Sequence, residues 1–408
     1  MRAQNISYMY ECEWTDDFVH RSGLDYYSPE IPGLIELHNT VILPAKESDL
    51  QTWGIGGADV NKTLFEQIRQ GIAFGGCYSY STEDEVHMDE TVYYIPVIMK
   101  HWGHFLIDVL SRFWFLLDGM DQGYRIAFCS LDFYNAELQG NYAEAVRLLN
   151  VPADRMLFVD RPMRFRKIIV PKASFGYSMK IHEVYLRTIS FLKEKALCSV
   201  KTEELIPVEK IYFTRTRFQR AKLMEVGEKE IETLFASIGY RVMAPEALSF
   251  TEQVFYLSNC RELAGLSGSV MHNILFTEED TKVAILNRTC MPNPPQFAIN
   301  QASKAEITYI DCYSKWTLSH PQDYGGPNGG PVQVEVNENL YKYLYDCGYG
   351  CCLTDSRPQA LKKLRNLIRF FYLKLRNKAK KTVFLTNAYR KCTSFYHRSS
   401  SISQNIQT

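Results

Sequence analysis

The 408-residue chain is 46% apolar, enough to build substantial cores in two or three domains. Its 46 Lys/Arg balance its 46 Asp/Glu, which excludes the broad electrostatic footprint of a nucleic-acid-binding protein. The balance is uneven, since residues 357–408 hold 13 Lys/Arg and no Asp/Glu, so the other 33 basic residues face all 46 acidic ones, a net of −13.

Residues 1 to about 90 carry short extended runs such as Thr40–Pro44, a loop at Gly54–Gly57 and an acidic stretch at Glu83–Glu85. Thr91–Met99, rich in β-branched and aromatic side chains, reads as a strand. In the stretch after it, Phe105, Val109, Arg112 and Phe113 keep the rhythm of a helix. Strands at Arg125–Cys129, Arg155–Val159 and Lys167–Val170 alternate with helices near 142–149 and 181–197, the mark of α/β units on a parallel sheet.

The polar stretch 199–204, followed by Pro207, reads as a linker, and a second α/β unit begins after it. The strand Lys210–Thr214 runs into Arg215, Arg217, Arg220 and Lys222. A helix through Ile231, Leu234, Phe235 and Ile238 closes at Gly239, and Tyr240–Met243 is a strand. Ser249 and Glu252 form a capping-box pattern that opens a helix through Gln253, Val254 and Leu257. Leu263–Phe276 then reads as strand, small-residue turn and helix, and Val283–Leu286 is the next strand.

In the tail, Leu361, Leu364, Ile368, Phe371 and Leu375 form an apolar stripe with Lys362, Lys363, Arg365, Arg369, Lys374 and Arg376 around it. Such a helix either lies on an anionic bilayer or packs on the body with a solvated basic face. Eleven cysteines, an odd number without framework spacing, read as free thiols in a reducing compartment. Cys347, Cys351 and Cys352 cluster without a second ligand pair, so no metal is expected. With no signal-like segment and no apolar run of about 18 residues, the chain is expected to be cytoplasmic.

Three clusters can carry chemistry. His104, Asp108 and Arg112 stand one helical turn apart: a carboxylate can orient a histidine base, or the trio is a helix start with an ion pair. The run from Arg215 to Lys222, past a strand end where α/β sheets bind ligands, can neutralise a diphosphate or stay a solvated loop. The turn Gly265-Leu-Ser267-Gly268-Ser269 opens a helix whose first amides can seat an anion, or it is a plain chain reversal.

Three segments in order, His101-Trp-Gly-His104-Phe-Leu-Ile-Asp108-Val-Leu-Ser-Arg112, Ile211-Tyr-Phe-Thr-Arg215 with its trailing basics, and Glu252-Gln253 followed by Gly265-x-Ser-Gly268-x5-Asn273-x2-Phe276, resemble glycosyltransferase family 61. The chain departs from the family pattern at Ser267, often His there, at Val270, often Gly, and at Gly227-Glu228, where the family has Asn-Glu.

The resemblance implies an α/β fold of the GT-B type: two Rossmann-like domains facing a cleft, with the nucleotide sugar on the C-terminal one. It implies inverting transfer to a glycan or lipid-linked acceptor, as in capsule, exopolysaccharide and lipopolysaccharide pathways, with no cofactor or metal. On this expectation residues 1–200 form the acceptor-side domain and 205–300 the donor domain, 301–356 returns across both, and 357–408 is the basic helical tail, peripheral at the inner face of the membrane. Arg215, Arg220, Lys222, Gly265, Ser267, Gly268 and Ser269 would hold the diphosphate, and Glu252, Gln253 and Asn273 would shape the donor pocket. His104 would be the base, oriented by Asp108, with Asp108 itself as the fallback. Two alternatives stay open: a catalytically silent, membrane-peripheral binding protein of a polysaccharide assembly complex, and another nucleotide-dependent transferase on the same fold.

Overall fold

The computed structural model describes residues 5–6, 15–46, 55–58, 78–98, 100–130, 138–175, 180–200, 205–291, 293–314, 317, 331–350 and 362–379. The protein is a mixed α/β structure built on two six-stranded sheets. The first runs in the order Ile55–Ala58, Leu34–Lys46, Met163–Pro171, Val86–Val97, Arg125–Cys129, Met156–Phe158. Leu34–Lys46 is antiparallel to both neighbours, and the remaining pairs are parallel.

The second sheet is parallel throughout, in the order Asn5–Ile6, Glu306–Asp311, Lys282–Asn287, Glu262–Leu266, Lys210–Phe213, Arg241–Met243. It therefore takes in a piece of the N-terminus and a strand beyond residue 300. The helix Glu338–Leu344 buries Leu340 and Leu344 against this same sheet, beside Tyr212, Ala264 and Leu286.

Local chemistry accounts for the elements. Buried parallel strands read as short apolar runs, as in Val283-Ala-Ile-Leu286, all buried. The capping box forms: the Ser249 hydroxyl accepts the Glu252 N–H, and the Glu252 carboxylate accepts the Ser249 N–H. Gly239 takes φ +91° just past the helix Glu228–Ser237, a left-handed conformation that glycine reaches without a Cβ penalty.

The two sheets share one hydrophobic core. Phe105, Phe113, Trp114 and Tyr185 from the first half pack in one cluster with Val254, Leu263, Ile274 and Phe297 from the second. The tail helix, residues 362–379, seats Phe370 and Leu373 against Val226. The stripe anticipated from the sequence faces the other way: Leu364, Ile368, Phe371 and Leu375 are exposed. Leu361 lies outside the described residues.

Candidate active site

Carboxyl ends of neighbouring parallel strands gather the connecting turns at one edge of a sheet, the usual place for a ligand. Here Lys210–Phe213 delivers Arg215, Glu262–Leu266 delivers Gly268, and Lys282–Asn287 delivers Arg288. These three strands are adjacent, so the three residues converge. A Cβ at Gly268 would sit 3.1 Å from Nη1 of Arg215 and 3.6 Å from Nη2 of Arg288. With φ +149° at Gly268 as well, a side chain there would be strained and would crowd both guanidinium groups.

Glu225 holds the two arginines together. Its Oε2 and Oε1 accept from Nε and Nη2 of Arg215 at 3.0 and 2.8 Å, a bidentate fork, and Oε1 also accepts from Nη1 of Arg288 at 2.5 Å. Burial pushes the Glu225 carboxyl up, but Arg288 and Arg215 outweigh it and hold it below the ordinary range. Arg288, fully enclosed, is lowered by burial despite Glu225, whereas Glu225 overcomes burial at Arg215 and raises it. Glu228 accepts the backbone N–H of Arg215 at 2.8 Å, and burial pushes its carboxyl up to about 8. Gly227, before it, has φ +99°, and a Cβ there would meet the Val334 carbonyl at 1.8 Å. The departure from Asn at this position thus has a local steric cause.

A cleft of about 770 Å³ opens between the halves. The second half lines it with Arg215, Phe218, Glu225, Glu246, Gln253, Ser269, Val270, Asn273 and Arg288, the first half with Lys100, His101, Trp102 and residues 139–142. A hydrogen-bonded chain crosses its floor. The Trp102 indole donates to Oδ1 of Asn273 (2.5 Å), whose Nδ2 donates to Oε1 of Gln253 (3.0 Å), and Gln253 Nε2 donates to the carbonyls of Pro245 and Leu248. Asn273 and Gln253 are buried, so the wall is fixed before any ligand arrives.

The histidine side of the cleft is built on an irregular helix. His101 caps the turn Trp102–His104, the backbone widens into a π turn over Phe105–Val109, and Leu110–Arg112 tightens into a 3-10 turn. His104 Nδ1 lies 2.8 Å from Oδ2 of Asp108. A carboxylate accepts, so Nδ1 carries the proton and the basic lone pair sits on Nε2. Burial raises Asp108, opposed by the His104 hydrogen bond. The His104 side chain is 36% exposed and its ring lies 4.5 Å from that of His101, which reaches the cleft wall. Arg112 does not ion-pair along the helix face; its guanidinium donates to the Pro171 carbonyl at 2.7 Å, and burial lowers it to about 10.

The remaining expected residues fall elsewhere. Gly265 lies inside the strand Glu262–Leu266, where a Cβ would meet Met271 Sδ at 2.9 Å, so it serves packing and not the turn. The Ser267 hydroxyl accepts the Arg288 N–H at 3.3 Å and is not among the residues lining the cleft. The Glu252 carboxylate is taken up by the capping box. The backbone of Arg220 and Lys222 belongs to the helix Gln219–Met224, and their side chains lie outside the described residues. Ser269 opens a 3-10 helix, Ser269–Phe276, close under Gly103. Sequence reading missed Glu225, which has no pattern around it, and Arg288, whose place just after a strand was the available signal.

A cleft between two α/β halves, with a paired-arginine seat at the strand ends and a carboxylate-oriented histidine nearby, fits group transfer from a phosphorylated donor. Comparison gives the class of that region: residues 102–284 match the family model described as Glycosyltransferase 61, which makes the matched stretch a glycosyltransferase domain. The match runs from Trp102 into the strand Lys282–Asn287, so it takes in most of the cleft wall, while Lys100, His101 and Arg288 lie outside it. No curated protein matches the chain.

Proposed function

We propose that the protein is an inverting glycosyltransferase of the GT-B type, moving a sugar from a nucleoside-diphosphate donor to a glycan or glycolipid acceptor in surface-polysaccharide biosynthesis. The observation that carries this reading is the meeting of Arg215, Arg288 and the Gly268–Ser269 turn in a cleft lined from both halves. In the reaction the acceptor oxygen forms a bond to the anomeric carbon as the carbon–phosphate oxygen bond breaks. The electron pair leaves with the nucleoside diphosphate, whose charge falls on the two guanidinium groups and the first amides of Ser269–Phe276. The acceptor proton goes to Nε2 of His104, and Asp108 stabilises the imidazolium that forms. Gln253 and Asn273 shape the donor pocket.

The basic tail seats the enzyme on an anionic membrane at the cytoplasmic face, where a lipid-linked acceptor would lie. Its support is the outward apolar stripe among Lys and Arg. The test is incubation of the full chain with a panel of nucleotide sugars, reading slow donor hydrolysis and transfer to lipid-extracted acceptors. Release of a nucleoside diphosphate from one donor is expected. Hydrolysis of ATP in place of every nucleotide sugar would overturn the reading in favour of another transferase chemistry.

A further inference from the structure

The tail helix has two faces with different neighbours. Around a helix each residue advances about 100°, which sets Leu364, Ile368, Phe371 and Leu375 on one side and Phe370 and Leu373 roughly opposite. The first set is exposed, at 52% for Leu364, 62% for Ile368 and 68% for Leu375, and the second is buried on Val226. Lys363, Lys374 and Lys378 border the outward stripe along one side. A second copy of the helix would set cations against cations, whereas an anionic bilayer takes both the stripe and its border.

The inward face leads to the donor seat. Val226 follows Glu225 in a two-residue strand whose ladder partner is Val332–Gln333. Successive side chains of a strand point to opposite sides. Glu225 therefore turns to the two arginines while Val226 turns to Phe370 and Leu373. Two further contacts hold the same segment: Arg365 stands 3.5 Å from Glu230, and the Asn377 amide donates to Met224 Sδ at 3.4 Å. A cavity of about 150 Å³ lies between Arg365, Asn366 and Arg369 of the helix and the underside of Arg215, Glu225 and Glu228. Across that cavity, packing of Phe370 and Leu373 on Val226 is what joins the helix to the strand that carries Glu225.

We infer that the tail helix is a strut through which docking on an anionic membrane tightens the diphosphate seat. A helix pressed on a bilayer loses freedom, its inward face fixes Val226, and Glu225 then holds Arg215 and Arg288 ready for the donor. This inference rests on the donor seat and the membrane docking proposed above. Linkage makes it reciprocal, so diphosphate must strengthen membrane binding by the same factor.

The experiment measures binding of inorganic pyrophosphate to the full chain by equilibrium dialysis. It is run without vesicles, with phosphatidylcholine vesicles, and with phosphatidylcholine vesicles carrying phosphatidylglycerol, with co-sedimentation read in parallel. Only the phosphatidylglycerol vesicles are expected to sediment the chain and tighten pyrophosphate, by about fivefold or more. Leu364→Asp with Ile368→Asp, on the exposed face, should abolish sedimentation and leave the vesicle-free affinity as it was. Phe370→Ala with Leu373→Ala should stay on vesicles and lose the tightening. Sedimentation with unchanged pyrophosphate affinity, or tightening retained in Phe370→Ala/Leu373→Ala, overturns the strut while the membrane reading stands. A chain that does not sediment loses the membrane reading and the strut together, and one that binds no pyrophosphate in any condition loses the donor seat and with it the strut.

Discussion

The two halves reach the cleft by different routes. The second half uses a fully parallel sheet, so three adjacent strands end at one edge and each brings one part of the seat: Arg215, Gly268 and Arg288. The first half mixes directions through Leu34–Lys46 and brings His101 and Trp102 to the wall from the single connection after Val86–Val97, with His104 behind them, its ring 4.5 Å from that of His101. A seat shared among strand ends spreads its charge over several backbone elements, and each arginine is fixed by a common carboxylate. A base on one helical turn is fixed by its own neighbour, Asp108, and by burial of the apolar residues around it. Binding on the one side and proton transfer on the other should therefore fail separately.

The sharpest break is His104→Ala. Turnover should fall by about 10²–10⁴-fold, the usual worth of a positioned base, with nucleoside-diphosphate affinity unchanged. Steady-state rates beside a calorimetric titration would check this, and normal turnover removes His104 from the role. Next comes Glu225→Ala, which leaves Arg215 and Arg288 facing each other in a buried site. A loss of about 3–5 kcal/mol in a urea melt is expected, as for a broken buried ion pair. A loss under about 1 kcal/mol, the worth of an exposed pair, would mean that the seat is open to water. Arg215→Ala and Arg288→Ala should each weaken nucleoside-diphosphate binding by about ten- to a hundredfold, the worth of one charged hydrogen bond. Equal affinity in both variants and the parent chain would move the donor elsewhere.

Much of this was legible from residue pattern alone. Alternating strands and helices, the capping box at Ser249 and Glu252, and a cation just past Phe213 are local signals, and each appears where the pattern put it. Other features depend on pairing that a linear pattern does not carry. Leu34–Lys46 is one long strand, but Asn39 sits at φ 49° in its middle and Glu36 and His38 face outward, so only Thr40–Pro44 reads as extended. Glu225 lies in a two-residue strand with neither period nor motif. The tail shows amphipathicity, but which side meets the body was decided by Phe370 and Leu373 finding Val226. Amphipathic spacing fixes that two faces exist and says nothing of which one a neighbour covers.

The smallest expected effect is a pH dependence of stability that separates the junction of the halves from the donor seat. His272 lies at the junction, under Gly103, and burial, with His101 and His104 nearby, lowers its imidazole to about 3 from 6.5. Its folded pKa is below the unfolded one, so between pH 6.5 and 3 the unfolded chain binds more protons and stability falls as pH falls. Glu228 in the seat is the reverse, raised to about 8 from 4.5. Between 4.5 and 8 the folded chain holds the extra proton, so stability falls as pH rises. Each contribution slopes by at most about 1.4 kcal/mol per pH unit, and the two oppose each other between 4.5 and 6.5. Above 6.5 only the Glu228 slope persists. Urea melts from pH 5 to 8 should then be nearly flat up to 6.5 and show a decline above it that Glu228→Gln removes, whereas His272→Gln should uncover a decline between 5 and 6.5. A Glu228→Gln chain that still loses stability from pH 6.5 to 8 would assign that titration to another group and return Glu228 to an ordinary carboxylate.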